Sequence, residues 1–456
     1  MRSRLLTSAA TAAALLLALP AGAIAAHPGE PGIRPSRAPW GDVGEAADSP
    51  DCGAHFCVHW AAFGVDAPSL ADRDGDGVPD YVERVLAVAE NVRHVENEVL
   101  GWRAPFGDGT RGGEVDKTDI YLTELAGEQV FGYTATDPAQ AEPGAAAPTS
   151  RSAYLVLDND YSAFDYPGTK PGRDLKVTLA HEYDHVLQYG YDALDVERDP
   201  WFAESSAVWM EDQVYNDIND YLRYVRRWVG TGKRTGMWKR PLTQGSIKEY
   251  GSAVWNEWLT HHYGRPILRE AWADAASAQP PGFGVAAYEA ALQAAGGGTF
   301  GHEFTRFAAD VAEWRTGIGF RESSLYPDMP RQGTLTLDGT RRTRHLNHTT
   351  FSLIAVPATE AGEVVVHVTA PEGVAAGLAL VGRLGSETGG TTVQALAYRE
   401  EGGELVARLP DPGRFQRITA VLVNADTQIS GWDPSEEVWS YTGNDEPFEV
   451  TAETVG

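Results

Sequence analysis

The N-terminal third of the chain combines short strand-like runs with one amphipathic stretch. Apolar, β-branched and aromatic residues cluster at 56–64 (FCVHWAAFG), 118–125 (TDIYLTEL) and 152–160 (SAYLVLDND), which is typical of β-strands. Between the first two runs, residues 82–101 repeat apolar side chains at helical spacing. This pattern predicts a small mixed sheet with one helix against it, followed by a loop over 135–150, which is rich in Pro, Ala and Gly.

The pattern changes twice further along the chain. From about residue 172 to 317 the apolar positions recur with helical periodicity in several consecutive runs. Past residue 330 the chain reads as short β-type runs separated by Gly, Pro and Asp, from TLTLDG at 334–339 to ITAVLVNAD at 418–426. Strands at such spacing favour a β-sandwich.

These patterns predict an α+β chain in which a small mixed sheet and a mainly helical lobe form one domain, followed by a C-terminal β-sandwich. We expect two or three domains from the length of 456 residues. The predicted divisions are a signal peptide (1–26), a flexible mature N terminus (27–50), an α/β part (51–172), a helical part (173–330) and the accessory β-sandwich (331–456).

The first residues are typical of a secretory signal peptide. A basic segment with Arg2 and Arg4 precedes an apolar run, and Ala23 and Ala25 offer a small-residue cleavage site. We therefore expect a secreted, extracellular protein. A membrane anchor is the alternative, but the apolar run is short for a span and ends in Pro, Gly and Ala. No later stretch predicts a membrane span.

The net charge of −27 predicts a surface that repels nucleic acid and anionic membranes and attracts cations. The two cysteines, Cys52 and Cys57, are expected to form a local disulfide because an exported chain meets oxidising conditions. A zinc pair supported by His55 and His59 remains the alternative.

The stretch HEYDH at 181–185, in the helical part, is a candidate metal-binding motif, and a solvent-exposed helix face without a metal is the alternative. Residues four apart share one face of a helix, so His181 and His185 can direct their imidazoles to one cation, and Glu182 can hold a water beside it. A catalytic zinc site needs a third protein ligand. After eighteen intervening residues, Glu204 lies in an apolar run, WFAESSAVWMED, where an unpaired buried charge would be costly. A solvated helix glutamate is the alternative.

These two motifs and their spacing resemble the gluzincin branch of zinc metallopeptidases, which includes thermolysin-like enzymes. The similarity is greatest to uncharacterised bacterial secreted putative metalloproteases, and it covers roughly residues 50–270. The resemblance implies a zincin-like fold, zinc held by His181, His185 and Glu204, and Glu182 as the general base. It further implies a hydrolase that cleaves protein or peptide substrates.

The same resemblance suggests further site residues. Tyr250, in EYGSAVWNEWL, resembles the tyrosine that stabilises the oxyanion in the aminopeptidases of this branch, although Gly-Ser follows it here instead of Lys-Gly. His261, His262 and Tyr263 are the alternatives, and Tyr250 as ordinary packing is another. Three acidic residues are candidates to orient the imidazoles: Asp184, Glu211 and Asp212. The run at 152–160 is a candidate edge strand for substrate, and an internal strand without a ligand role is the alternative.

A second cation site is predicted at 72–83, DRDGDGVPDYVE. Oxygen donors occupy the ligand positions of a twelve-residue calcium loop, and Gly77 stands at the sharp turn. The predicted structural Ca²⁺ ligands are Asp72, Asp74, Asp76, Val78, Asp80 and Glu83. Pro79 and the missing entry helix depart from the EF-hand pattern, so the loop resembles those of dockerin-type and thrombospondin-type repeats. An acidic surface turn is the alternative.

Two other functional classes remain open. One is a non-catalytic secreted protein that binds calcium and contacts carbohydrate or a cell surface through its β-sandwich. The other is a zinc hydrolase with a non-peptide substrate, because HExxH determines the cation and the water but not the substrate.

Overall fold

A computed structural model describes residues 50–456 with the exception of short segments. Residues 1–49, which hold the predicted signal peptide and nearly all of the predicted N terminus, lie outside the described residues, as do 113, 129, 138–148, 162–169, 193–195, 197, 231–235, 246, 278–283 and 434–437. The described chain is mixed α/β with a β-rich C-terminal region, as the pattern predicted. None of its helices combines the length and apolarity needed to cross a bilayer.

A five-stranded sheet opens the fold. Its strands are β1 (Asp51–Cys52), β2 (Phe56–His59), β3 (Thr118–Thr123), β4 (Gly132–Thr136) and β5 (Ala153–Asp158), in the order β1-β2-β3-β5-β4. Strands β2, β3 and β5 are parallel, and β4 runs antiparallel to β5. Cys52 and Cys57 join β1 to β2 as a disulfide, which was the predicted pairing.

The strand order corrects one prediction. The run at 152–160 forms β5, which lies between β3 and β4 and is therefore internal rather than at an edge. The edge strand next to β5 is β4, whose short sequence GYTAT was not recognised as a strand and whose end overlaps the predicted loop 135–150. Gly132 in β4 allows the close approach, because a Cβ there would lie 2.9 Å from a methyl of Leu157.

The predicted amphipathic helix is present as α1 (Asp80–Arg93), which continues into one π-helical segment, His94–Val99. It connects β2 to β3 and packs against β2. Val82, Val85 and Val92 are buried as expected. The π-helical turn also buries Glu96 completely, which the pattern did not indicate.

The helical part lies between the two β-rich regions. The helices among its described residues are α2 (Pro171–Tyr191), α3 (Pro200–Val214), α4 (Leu222–Val229), α5 (Ile247–Gly251), α6 (Ala253–Tyr263), α7 (Pro266–Ser277), α8 (Gly284–Ala294) and α9 (Phe300–Ala312). Helices α2 and α3 both begin with proline, which suits the first helical turn because its missing N–H would have no helical partner. Helix α2 packs against β4 and β5 on one side and α3 on the other.

The C-terminal region consists of two four-stranded antiparallel sheets around a shared core, together with a two-stranded ribbon. Its strands are β6 (Arg342–Leu346), β7 (Thr350–Val356), β8 (Glu363–Ala370), β9 (Ala376–Leu384), β10 (Thr391–Arg399), β11 (Gly403–Pro410), β12 (Arg417–Asn424), β13 (Ile429–Asp433), β14 (Val438–Tyr441) and β15 (Glu446–Val455). The sheet orders are β10-β9-β12-β7 and β11-β8-β15-β6, and β13 pairs with β14.

Sequence patterns missed several of these strands and added one. β6 and β13–β15 were not predicted, and TLTLDG at 334–339 forms isolated bridges at Thr334 and Asp338 instead of a strand. The outer face of the β10-β9-β12-β7 sheet, including Ala379 and Val421, belongs to the same apolar core as the helical part. The sandwich is thus joined to the helices through packed side chains.

Candidate metal centre

Helices α2 and α3 bring three predicted ligands together. His181 and His185 lie one turn apart on α2, and their Nε2 atoms are 3.1 Å and 3.7 Å from the Oε2 atom of Glu204 on α3. The candidate donor atoms of these three residues all lie within 4.8 Å of one another, and all three side chains are buried. The eighteen-residue connection therefore does return a carboxylate to both imidazoles.

Each imidazole has a different partner on its other nitrogen. The Nδ1 atom of His181 lies 2.8 Å from Oε1 of Glu211, and that of His185 lies 2.8 Å from Oε1 of Gln188. Both partners are acceptors, so each Nδ1 carries the proton and donates it. In the neutral imidazoles this leaves Nε2 as the atom with a free lone pair, which is the arrangement that metal-binding histidines use.

Gln188 is a functional candidate that the sequence did not reveal. Its Nε2 atom lies 2.6 Å from Oδ2 of Asp184 and 2.8 Å from Oγ of Ser206, so the amide is held in one orientation. The spacing His185-x-x-Gln188 on one helical face was the available signal. Of the three acidic candidates, Glu211 contacts an imidazole. Asp184 contacts Gln188, and Asp212 pairs with Arg321.

The carboxylate of Glu182 lies between the metal centre and the edge strand. Its Oε2 atom accepts a hydrogen bond of 2.9 Å from Oγ1 of Thr134 on β4, and its Oε1 atom has no hydrogen-bond partner among the described residues. Burial raises the pKa of Glu182 to about 7, against the opposing charges of His181 and His185. Its unengaged Oε1 atom leaves this carboxylate able to accept a proton from a neighbouring water.

The charge balance around His181 depends on its two carboxylates. Burial by itself lowers the pKa of an imidazole, but Glu204 and Glu211 raise the pKa of His181 well above its ordinary value. Without a cation, a proton on His181 therefore offsets the negative charge of these two side chains. A divalent cation would supply that positive charge in place of the proton.

Tyr250, the predicted oxyanion donor, lies at the centre. Its ring stacks on that of His181 with centroids 5.9 Å apart, and Tyr224 stacks on its other side at 5.2 Å. Burial, followed by the charge of Glu204, raises the pKa of Tyr250 well above its usual value, so its hydroxyl stays protonated.

The three alternatives to Tyr250 lie elsewhere. His262 contacts Asp310 at 3.2 Å, and the hydroxyl of Tyr263 donates to Glu303 at 2.7 Å, both on α9. His261 is exposed to solvent, whereas the metal centre is buried. Tyr250 is therefore the one among these four that stacks on a candidate metal ligand.

The donor set fits a zinc ion. Two imidazole nitrogens and one carboxylate oxygen match a catalytic zinc site, which takes three protein ligands and keeps a fourth position open. His185 supports the fit, because its buried Nε2 atom has no hydrogen-bond partner among the described residues. An orphaned buried nitrogen is costly unless a ligand satisfies it.

The predicted calcium loop brings three of its carboxylates together. Asp72, Asp74 and Asp76 are exposed and offer oxygen atoms within 4.8 Å of one another. Gly75 and Gly77 both adopt positive φ and donate their N–H groups to Asp72, which shapes the turn.

The other three predicted positions of this loop have surroundings of their own. Asp80 pairs with Arg73 at 3.2 Å. Glu83 lies in the first turn of α1, where desolvation and the charges of Asp74 and Asp76 raise its pKa. Val78 donates its N–H to Asp76.

The cysteine region shows no sign of the alternative zinc pair. With Cys52 and Cys57 bonded to each other, His55 contacts Glu90 and His59 contacts Asp119, each at 2.7 Å. These histidines are therefore held by carboxylates of α1 and β3.

Comparisons with known proteins found a family model that matches part of the chain. Residues 167–318, which contain the whole candidate metal centre, match the model of a "Family of unknown function (DUF6055)". The search of curated proteins found no match. Among solved structures, a "Family 16 Carbohydrate Binding Module-2" is similar over 25% of this chain and 74% of its own, with 14% identity and a TM-score of 0.16. A TM-score this low carries no argument about fold or function.

Proposed function

We propose that the chain is a secreted zinc metallopeptidase of gluzincin type, with a zincin-like domain formed by the first sheet and the helical part. The observation that carries this proposal is the convergence of His181, His185 and Glu204 beside Glu182. Secretion rests on the sequence of residues 1–26.

Each residue of the centre has a role in peptide hydrolysis. Zinc, when bound by His181, His185 and Glu204, would act as a Lewis acid towards the scissile carbonyl and the attacking water. Glu182 accepts the proton of that water and passes it to the leaving amine. The hydroxyl of Tyr250 donates a hydrogen bond to the developing oxyanion. His181 and His185 are kept in position by Glu211 and Gln188.

The edge strand β4 is the proposed binding site for an extended peptide. In the described sheet it pairs only with β5, so its other edge can receive a further strand. Thr134 in β4 contacts Glu182, which places this strand directly beside the general base. Substrate specificity then depends on main-chain pairing and on pockets for alternate side chains.

The loop at 72–83 is a proposed structural Ca²⁺ site. Asp72, Asp74 and Asp76 converge with no ion-pair partner among the residues that the structure describes, and a cation would relieve their mutual repulsion. The loop leads directly into α1, so a bound ion would stabilise the start of that helix.

The C-terminal region supports a second candidate, a binding function. The exposed face of the second sheet carries a groove of about 290 Å³, lined by His367, Thr369, Glu404, Glu449, Thr451 and Glu453 among others. Such a polar groove suits a carbohydrate or another cell-surface ligand. In a non-catalytic calcium-binding adhesion protein, binding of such a ligand in this groove would be the whole function. In the metallopeptidase, the groove would hold the enzyme at a surface that carries the ligand.

A comparison of the purified wild type with Glu182→Gln tests the proposal. We expect one zinc per chain in both proteins and cleavage of casein or a peptide library by the wild type alone, because the variant keeps the ligands and loses the base. Equal turnover would remove Glu182 from the mechanism. If the wild type binds zinc but cleaves no peptide, two alternatives remain: a non-catalytic binding protein, or a zinc hydrolase with a non-peptide substrate.

A further inference from the structure

Thr134 lies in the middle of β4 with its side chain turned towards α2. It is fully buried, and its register partner on β5 is Leu155. Its Oγ1 atom lies 2.8 Å from the backbone carbonyl oxygen of Glu182 and 2.9 Å from the carboxylate Oε2 of the same residue. One hydroxyl group on the edge strand thus contacts both the main chain and the side chain of the general base.

The hydroxyl group has only one proton for these two acceptors. It is therefore shared between them or alternates, and in either case it holds Oε2 near the carbonyl oxygen of its own residue. The side chain of threonine is stiff at χ1 because it is β-branched, so the donor position is well defined.

The consequence for Glu182 concerns its other oxygen. Oε1 is buried and has no hydrogen-bond partner among the described residues. With Oε2 engaged by Thr134, Oε1 is the atom left to meet the attacking water. The carboxylate thereby acquires a defined direction, which a freely rotating side chain would lack.

We propose that Thr134 is a positioning residue for Glu182, one that connects the substrate-binding edge strand to the general base. This inference rests on the proposed peptidase function. Because the hydroxyl is carried by β4, a peptide that pairs with β4 also steadies the group that orients the base. Substrate binding and base geometry are then coupled through one side chain.

A pair of substitutions separates this role from packing. Thr134→Val keeps the branched shape and removes the hydroxyl, whereas Thr134→Ser keeps the hydroxyl and removes a methyl group. Thr123→Val is the matched control, because Thr123 lies in β3 of the same sheet and donates to Asp66 instead. Zinc content and the thermal melting curve of each variant show that the centre and the fold persist.

For Thr134→Val we expect kcat to fall about 10- to 100-fold with KM nearly unchanged, as for a misdirected catalytic group. Thr134→Ser should recover most of kcat, and Thr123→Val should match the wild type. Equal losses in the Val and Ser variants would mean that Thr134 acts through packing and would overturn the inference. An unchanged kcat in Thr134→Val would overturn it as well.

A second readout does not require turnover. The absorption spectrum of the cobalt(II)-loaded chain reports the surroundings of the ion, and we expect Glu182→Gln and Thr134→Val to shift it alike, with Thr134→Ser near the wild type. If this pattern appears in a wild type that cleaves no peptide, the positioning role stands and the peptidase proposal fails. If Glu182→Gln shifts the spectrum and Thr134→Val does not, the positioning role fails.

Discussion

The two imidazoles of α2 differ in what holds them. His181 donates to the carboxylate of Glu211, and His185 donates to the neutral amide of Gln188. A charged acceptor increases the basicity of an imidazole more than a neutral one, because it stabilises the developing positive charge. The two ligands therefore contribute unequally to metal affinity, although the sequence presents them as an equivalent pair.

Substituting Glu211 by Gln tests this difference at the level of one residue. The variant keeps an acceptor for His181 but loses the charge, so we expect zinc affinity to fall about tenfold. Competition with a chromogenic chelator measures the change. Asp212→Asn is the matched control, since Asp212 pairs with Arg321 and leaves both imidazoles alone. An affinity loss of the same size in both variants would contradict a specific role for Glu211.

Lys248 gives a prediction about pH. It is buried on α5, its Nζ atom donates to Oγ of Ser252 at 2.7 Å, and burial lowers its pKa from 10.5 to about 7. Between these values the unfolded lysine binds a proton that the folded one does not, so stability rises with pH. The contribution amounts to about 1.4 kcal/mol per pH unit.

We therefore expect Lys248→Met to be more stable than the wild type near pH 7, with the difference shrinking as pH rises towards 10. Urea unfolding at several pH values in this range measures it. Lys239→Met is the control, because Lys239 is exposed. A stability difference that does not change with pH would show that Lys248 is not desolvated in the folded chain.

At the scale of elements, the position of α2 decides what its sequence can do. The helix lies between the sheet and α3, and this buries His181, Glu182 and His185 together. The strand that contacts Glu182 is β4, which lies next to β5 and takes the edge position that was predicted for the run at 152–160. A five-residue strand with little apolar character gives a weak pattern, and its place at the edge depends on pairing with β5.

The calcium loop is a second element whose behaviour can be tested. We expect Ca²⁺ to raise the melting temperature of the wild type by about 1–3 °C, through preferential binding to the folded state. Asp74→Asn should reduce this shift, because it removes the negative charge of one predicted ligand. We choose Asp74 because its hydrogen bond within the loop, 3.3 Å from Oδ1 to the backbone nitrogen of Asp76, is longer than those of Asp72 and of Asp76. Mg²⁺ serves as the control cation, and zinc content should stay constant. A melting temperature that does not change on addition of Ca²⁺ would indicate that the loop is an acidic surface turn without a bound ion.

At the scale of the whole molecule, buried charges join the helical part to the sandwich. Glu313, just after α9, is almost fully buried and accepts hydrogen bonds from Arg331 and from Arg417 of β12, each at 2.6–2.7 Å. Helix α9 also packs tightly on β9, where a Cβ on Gly377 would lie 2.2 Å from Oγ1 of Thr305. The two regions are therefore expected to unfold as one unit.

Glu313→Ala tests this connection. It removes the buried partner of Arg331 and Arg417 and leaves them the partly exposed carboxylate of Asp328, so we expect the stability to fall by about 1.5–3 kcal/mol. Glu387→Ala is the control, because its pair with Arg315 is partly exposed and should contribute less than about 1 kcal/mol. Calorimetry gives both values. Two separate transitions in the wild type, or equal small losses in both variants, would contradict a shared cooperative unit.

The sequence by itself determined the local features of this protein. The spacing of His181 and His185, the burial expected for Glu204, the α1 periodicity and the disulfide all follow from short-range rules, and the structure agrees with each of them. These features depend on helical geometry or on residues close in the chain, which is why a pattern can predict them.

Only the tertiary structure decided the rest. The structure shows that Glu211, and not Asp212, contacts the imidazole of His181, and that Gln188 contacts the imidazole of His185. It also shows that Thr134 contacts Glu182 and that β4, not β5, is at the edge of the sheet. Each of these contacts depends on which segments pack together. Glu211 and Asp212 are adjacent in the chain, yet one contacts His181 and the other Arg321, because they point to different neighbouring segments. Such contacts are set by the balance of burial and pairing across the whole fold, which no local pattern records.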